Sequence, residues 1–171
     1  MAEQRRRAVS WGGQPTEVVG PALVVGDVAP SDFLLVANDL SVVAGSALRG
    51  RPRIICAVPS LDTAVCDVEM RRFNQGVLAL PGVKLYAVSM DLPFAQKRWC
   101  VATASERVQS LSDFKDRSFG PAYGVFAPAR GLLVRAVLVI DKDDRIRHVE
   151  YVPDVGSEPD YDAALAAARA S

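Results

Sequence analysis

The chain has 171 residues, half of them hydrophobic, with 20 basic side chains set against 20 acidic ones. That length suits one domain with a full core over residues 1–171, and the even charge argues against a nucleic-acid surface or an acidic disordered chain. No apolar run is long enough to span a membrane; three cysteines and one histidine are too few for a secreted disulfide framework or a zinc site.

A cytoplasmic protein with a working cysteine pair and one spare thiol is the expectation. Arg5-Arg6-Arg7 could suggest a twin-arginine signal, but Ala8 to Pro15 holds no long apolar stretch, so no such signal is expected.

In chain order, residues 7–19 read as a hairpin. Val9 and Trp11 alternate with polar neighbours, and Gly12-Gly13 offers positive φ for the turn. A loop follows through Pro30, then a short strand at Phe33–Val36 and an edge strand at Val42-Val43. The run 53–58 is apolar, rich in β-branched residues and short enough for a buried strand. Pro59 ends it, because proline cannot donate to a ladder. After Thr63 the period becomes helical, with Cys66, Met70, Phe73 and Val77 on one face and Asp67, Glu69, Arg71 and Arg72 on others. This helix runs to about Leu80, where Pro81-Gly82 stops it.

Lys84–Ser89 is a second strand, so strand, helix and strand imply a parallel crossover. Asp91 is read as a cap and Pro93 as a first-turn proline for a helix through Cys100. Residues 108–125 hold a short strand and a short helix. Leu132–Ile140 reads as one long strand, turning at Asp141–Asp144 into an alternating strand from Arg145 to Val152. Pro159 and Asp160 open a terminal helix rich in alanine. The sum is α/β: a thioredoxin-like order with a central mixed sheet flanked by helices and an added N-terminal β-hairpin.

Functional sites in open α/β sheets lie beyond the carboxyl ends of the strands, where Pro59 to Cys66 falls. Thr63 is a good N-cap, which places Cys66 in the first turn of the helix. Unpaired N–H groups and the positive helix end favour a thiolate there, and the thiolate is the nucleophile. Thr63 and Cys66 share a face, so the hydroxyl is expected to reach the sulfur. The competing reading is a small apolar cysteine packed under a helix. Arg135 stands in an apolar strand and must find a partner or solvent. Cys56, inside the strand run, reads as core. His148 stands away from any cysteine, which argues against a Cys–His hydrolase. Asp62, Asp67 and Asp91 read as caps and loop groups.

Pro59, Thr63 and Cys66 fit a Pro-x-x-x-Thr-x-x-Cys pattern, and Val58 to Cys66 resembles the active-site loop of the thiol peroxidases, a branch of the peroxiredoxins. Ala64 stands where those proteins usually have proline. Ala29-Pro30-Ser31-Asp32-Phe33 resembles their Ala-Pro-Asp-Phe turn with Ser31 inserted. Ser89 to Cys100 resembles the segment carrying their resolving cysteine, with Trp99 where phenylalanine is more usual. Arg135 aligns with their site arginine.

The resemblance implies a peroxidatic Cys66, a resolving Cys100 and a Cys66–Cys100 disulfide of the atypical two-cysteine kind. It further implies hydroperoxide substrates, thioredoxin as reductant, a homodimer, and no metal or organic cofactor. The rival class is a redox-sensing interaction protein that uses the same disulfide as a switch. The two cysteines, read as lying near the starts of two helices, are expected to sit too far apart to bond in the reduced protein, so that oxidation requires local opening.

Overall fold

The computed structural model describes residues 7–171. Arg5 and Arg6 lie outside that range. The expected hairpin is present as β1 (Arg7–Trp11) and β2 (Gln14–Val18), paired antiparallel. Then come β3 (Leu34–Ala37), β4 (Val42–Ala44), β5 (Arg53–Ala57) and α1 (Ala64–Gly76). They are followed by β6 (Lys84–Ser89), α2 (Pro93–Thr103), β7 (Val108–Ser112) and the short α3 (Phe119–Ala122). The chain closes with β8 (Phe126–Ala127), β9 (Leu132–Leu133), β10 (Ala136–Ile140), β11 (Ile146–Tyr151) and α4 (Tyr161–Arg169).

Seven strands form one mixed sheet in the order β11-β10-β5-β6-β7-β3-β4. The middle three, β5, β6 and β7, are parallel, and the flanking pairs are antiparallel. All five residues of β5 are buried, which is why it reads as a continuous apolar run. One face of the sheet packs Met70 and Phe73 of α1, Trp99 of α2 and Ala164 of α4. The other face is covered by Val9 and Val18 of the hairpin with Phe119 and Tyr123 at α3. The backbones cross closely there: a Cβ at Gly20 would lie 2.1 Å from the Pro121 carbonyl oxygen, and Gly20 has φ +104°. Only glycine fits that crossing, which sets the hairpin against the sheet.

Three expectations need correction. Leu132–Ile140 is not one strand: β9 pairs with β8 in a separate small sheet, and regular pairing resumes only at Ala136. Val134 and Arg135 lie in the break, where the Val134 N–H donates to the Val125 carbonyl and the Arg135 carbonyl accepts from Val152. The α1 helix ends at Gly76, followed by a 3-10 turn over Val77–Ala79 rather than helix to Leu80. Cys100 lies in the second half of α2, not near its start.

Candidate active site

The loop 59–63 leaves the carboxyl end of β5 and is held by a partly buried hub. Asp91 accepts from Ser60 Oγ at 2.6 Å, from the Leu61 N–H at 2.8 Å and from Ser89 Oγ at 2.8 Å. Ser89 in turn accepts from Gln96 Nε2 of α2 at 2.9 Å. Asp91 is therefore no helix cap. Leu92 occupies that position, and the Asp91 carboxylate instead ties the loop to β6 and α2.

Thr63 is the N-cap residue of α1 with extended backbone, φ −90° and ψ 148°, but its side chain caps nothing. Its hydroxyl donates to the Ser60 carbonyl at 2.9 Å, not to the sulfur. The hydroxyl keeps its acceptor lone pairs for a ligand, because one donor bond uses its only proton.

Cys66 occupies the third position of α1 and has no solvent exposure. Arg135, in the strand break, reaches it: Nη2 donates to Cys66 Sγ at 3.3 Å. The guanidinium is fixed from three sides. Nε and Nη2 donate to the Val155 carbonyl at 3.2 and 2.8 Å, and Nη1 is ion-paired with Glu69. Its exposure is 1% and that of Glu69 is 0%, so this arginine finds partners inside the protein and not solvent.

Glu69 was missed because an acidic residue on an amphipathic helix ordinarily faces water. The signal available was its place one turn after Cys66, facing the break that Arg135 enters. Burial pushes the Glu69 carboxyl up to about 7, with Arg135 holding it back from rising further. Burial opposes the charge on Arg135, but the facing Glu69 and Cys66 outweigh it and raise the guanidinium above its ordinary range. Glu69 Oε1 has no partner among the described residues.

A pocket of about 350 Å³ opens over this group, lined by Trp11, Pro59, Thr63, Ala64, Val65, Arg135 and Val155 among others. Its wall is largely apolar, and Arg135 and Thr63 supply polar groups. Cys66 lies one hydrogen bond beneath Arg135.

Cys100 is partly exposed and belongs to another place. Its sulfur lies 3.5 Å from Ser110 Oγ of β7, which donates to Asn38 at 2.9 Å, and it lines a separate hollow with Val101, Ser105 and Glu106. Arg135 leads into β10, and β5 and β6 run between β10 and β7. The two sulfurs thus hold different partners, Arg135 for Cys66 and Ser110 for Cys100. All three cysteines are free thiols. Cys56 is fully buried in β5, as its core reading requires. His148 pairs with Val139 on the edge strand, at the far end of β10 from Arg135.

A family profile described as Redoxin matches residues 24–165. The chain belongs to the redoxin family. Within it, the chain falls in the thiol peroxidase branch of the peroxiredoxins. It is 46% identical to the thiol peroxidase of Halalkalibacterium halodurans over 164 residues, 96% of this chain and 98% of that one. It is 41% identical to the thiol peroxidase of Bacillus subtilis, covering 95% of this chain and 96% of the relative. Among solved structures, a peroxiredoxin-like protein from Aquifex aeolicus superposes with a TM-score of 0.86 at 40% identity, covering 96% of each chain. The redoxin fold thus accounts for the mixed sheet, its flanking helices and the loop at the end of β5.

Proposed function

We propose that this redoxin is a thiol-dependent peroxidase in which Cys66 is the peroxidatic residue and Cys100 the resolving one. The observation that carries the proposal is the Arg135 guanidinium held 3.3 Å from a sulfur in the first turn of a helix, beneath an open pocket. A guanidinium and helix-start N–H groups stabilise negative charge on sulfur.

The hydroperoxide enters between Pro59, Thr63 and Arg135. Its O–H donates to the free lone pair of Thr63 Oγ, and its oxygens accept from Arg135. The Cys66 sulfur attacks the terminal oxygen in line, and the O–O bond breaks. Its electron pair leaves on the alkoxide or hydroxide, which Arg135 stabilises until it takes a proton. Sulfur is oxidised to sulfenic acid, and the peroxide is reduced to alcohol or water. Pro59 ends β5 and shapes the pocket wall, with no proton to transfer.

The Cys100 thiol then attacks the sulfenic sulfur. An S–S bond forms and water leaves. A thioredoxin dithiol reduces the disulfide and restores both thiols. No metal or organic group enters any step. The homodimer, the thioredoxin partner and the cytoplasmic setting belong to the same reading; they are supported by the family and, for the setting, by a cysteine count too low for a secreted disulfide framework. No helix among the described residues is long and apolar enough to cross a membrane.

Consumption of hydroperoxide with catalytic thioredoxin, its reductase and NADPH tests the reading. Turnover far beyond one equivalent per chain is expected; a single equivalent would place the chain with the redox sensors instead.

A further inference from the structure

Asp67 directly follows Cys66, and Trp99 directly precedes Cys100. These two neighbours are bonded to each other: the Trp99 indole N–H donates to Asp67 Oδ1 at 2.8 Å. Trp99 is 6% exposed and packs in the same apolar cluster as Cys66, Met70 and Phe73. One bond therefore clamps the first turn of α1 to the half of α2 that carries Cys100. The two sulfurs meanwhile hold different partners: Arg135, in the break before β10, and Ser110 of β7.

For the sulfurs to meet, the start of α1 or the second half of α2 must leave its packed position. Either movement breaks the indole–carboxylate bond. The Asp91 hub ties the loop before α1 to Ser89, and Gln96 joins it through Ser89 from the first half of α2. Those bonds can survive an opening confined to residues 99–103. The bond between Trp99 and Asp67 cannot.

We propose that Trp99 and Asp67 form a latch whose release limits the condensation of Cys100 with oxidised Cys66. This rests on the two-cysteine reading above. The latch is a positioning device: neither residue touches peroxide. It holds the peroxide-ready form closed during the first step. It also lengthens the life of the Cys66 sulfenic acid, in which a second hydroperoxide can transfer another oxygen to sulfur, giving sulfinic acid and one more alcohol.

Trp99→Phe keeps an aromatic ring in the cluster and removes the N–H. Asp67→Ala removes the acceptor at a partly exposed site. Each variant and the wild type, fully reduced, are mixed with one equivalent of cumene hydroperoxide, and quenched samples are followed by mass spectrometry. Sulfenic acid should form at the same rate in all three proteins. The disulfide should form roughly tenfold faster in each variant, as expected for one lost hydrogen bond to a charged group. Under excess peroxide the sulfinic fraction should fall by a similar factor. Asp67→Ala also frees Arg71, which donates to the same carboxylate at 3.0 Å, so the double variant should be no faster than Asp67→Ala, which already lacks the indole bond.

An unchanged or slower disulfide step in Trp99→Phe, or additive gains in the double variant, would overturn the latch while leaving the two-cysteine reading standing. Absence of any disulfide in wild type and variants alike would remove that reading, and the latch with it.

Discussion

Cys56 and Cys66 are both fully buried and both lie in the same apolar cluster, yet their surroundings differ in kind. Cys56 sits in the middle of β5, opposite Val137 on one side and Ala87 on the other. Burial pushes its thiol well above the ordinary range; Glu69 adds to the rise and Arg135 only partly offsets it. Cys66 stands at a helix start with the same Arg135 donating to its sulfur. The comparison teaches that burial alone disarms a cysteine. On the reading proposed above, a donor aimed at the sulfur, itself held by Glu69 and the Val155 carbonyl, separates the peroxidatic Cys66 from the packed Cys56.

The harshest way to probe the contrast is to remove each sulfur. Cys66→Ser should reduce peroxide consumption to background. Cys56→Ala should leave the rate unchanged and lower stability by about 1–2 kcal/mol, through a small cavity. A folded but inactive Cys56→Ala would break the comparison. Urea unfolding and a coupled peroxidase assay read both quantities.

Next in size is the donor. Arg135→Ala should slow oxidation of Cys66 by about a hundredfold or more, the usual loss when one fixed donor is removed from a developing charge. It should also cost about 3–5 kcal/mol, because it strands a buried carboxyl. Arg135→Lys keeps the charge without the fork and should recover part of the stability but little of the rate. Stopped-flow tryptophan fluorescence after peroxide mixing separates the two effects.

Glu69 offers a subtler test. Its folded-state carboxyl lies at about 7 against an ordinary 4.5, so the folded protein binds more protons than the unfolded chain between those values. Stability should therefore fall as pH rises through that window and level off above it. The groups acting on this carboxyl are Arg135, Glu150 and Glu158, and it acts in turn on Cys56 and Tyr161. Glu69→Gln should flatten that slope. Parallel slopes in variant and wild type would show a carboxylate kept ionised by Arg135 throughout the range.

The smallest change expected is in Thr63→Val, which keeps the shape of the pocket wall and removes the acceptor oxygen. A loss of about tenfold in the oxidation rate is expected, the worth of one positioned hydrogen bond. An unchanged rate would leave Thr63 only its backbone place before α1.

Much of this was legible in the residues. The apolar run 53–58, the shift to helical period after Thr63 and the alternation around His148 mark elements that the structure contains. Cys66 in a first helical turn followed from Pro59 and Thr63 alone. What escaped was tertiary. An arginine in a strand cannot announce that the strand breaks to let it turn inward. A glutamate on an amphipathic helix looks solvated until the partner that buries it is known. Asp91 has the residue type of a cap, and only packing shows it as the hub beneath the loop. The direction of the Thr63 hydroxyl depends on the turn that brings the Ser60 carbonyl near, which helical spacing does not contain.

The central claim is that Arg135 makes Cys66, and not the equally buried Cys56, the first sulfur oxidised. Cys100→Ser keeps the sulfenic acid from condensing, so the site can be read directly. The reduced variant is mixed with one equivalent of cumene hydroperoxide in the presence of a sulfenic-acid-trapping dione, digested, and its cysteine peptides are sequenced by mass spectrometry. The account predicts the adduct on Cys66 alone, with Cys56 recovered as thiol. An adduct on Cys56, or an unmodified Cys66 after the peroxide is consumed, would contradict it.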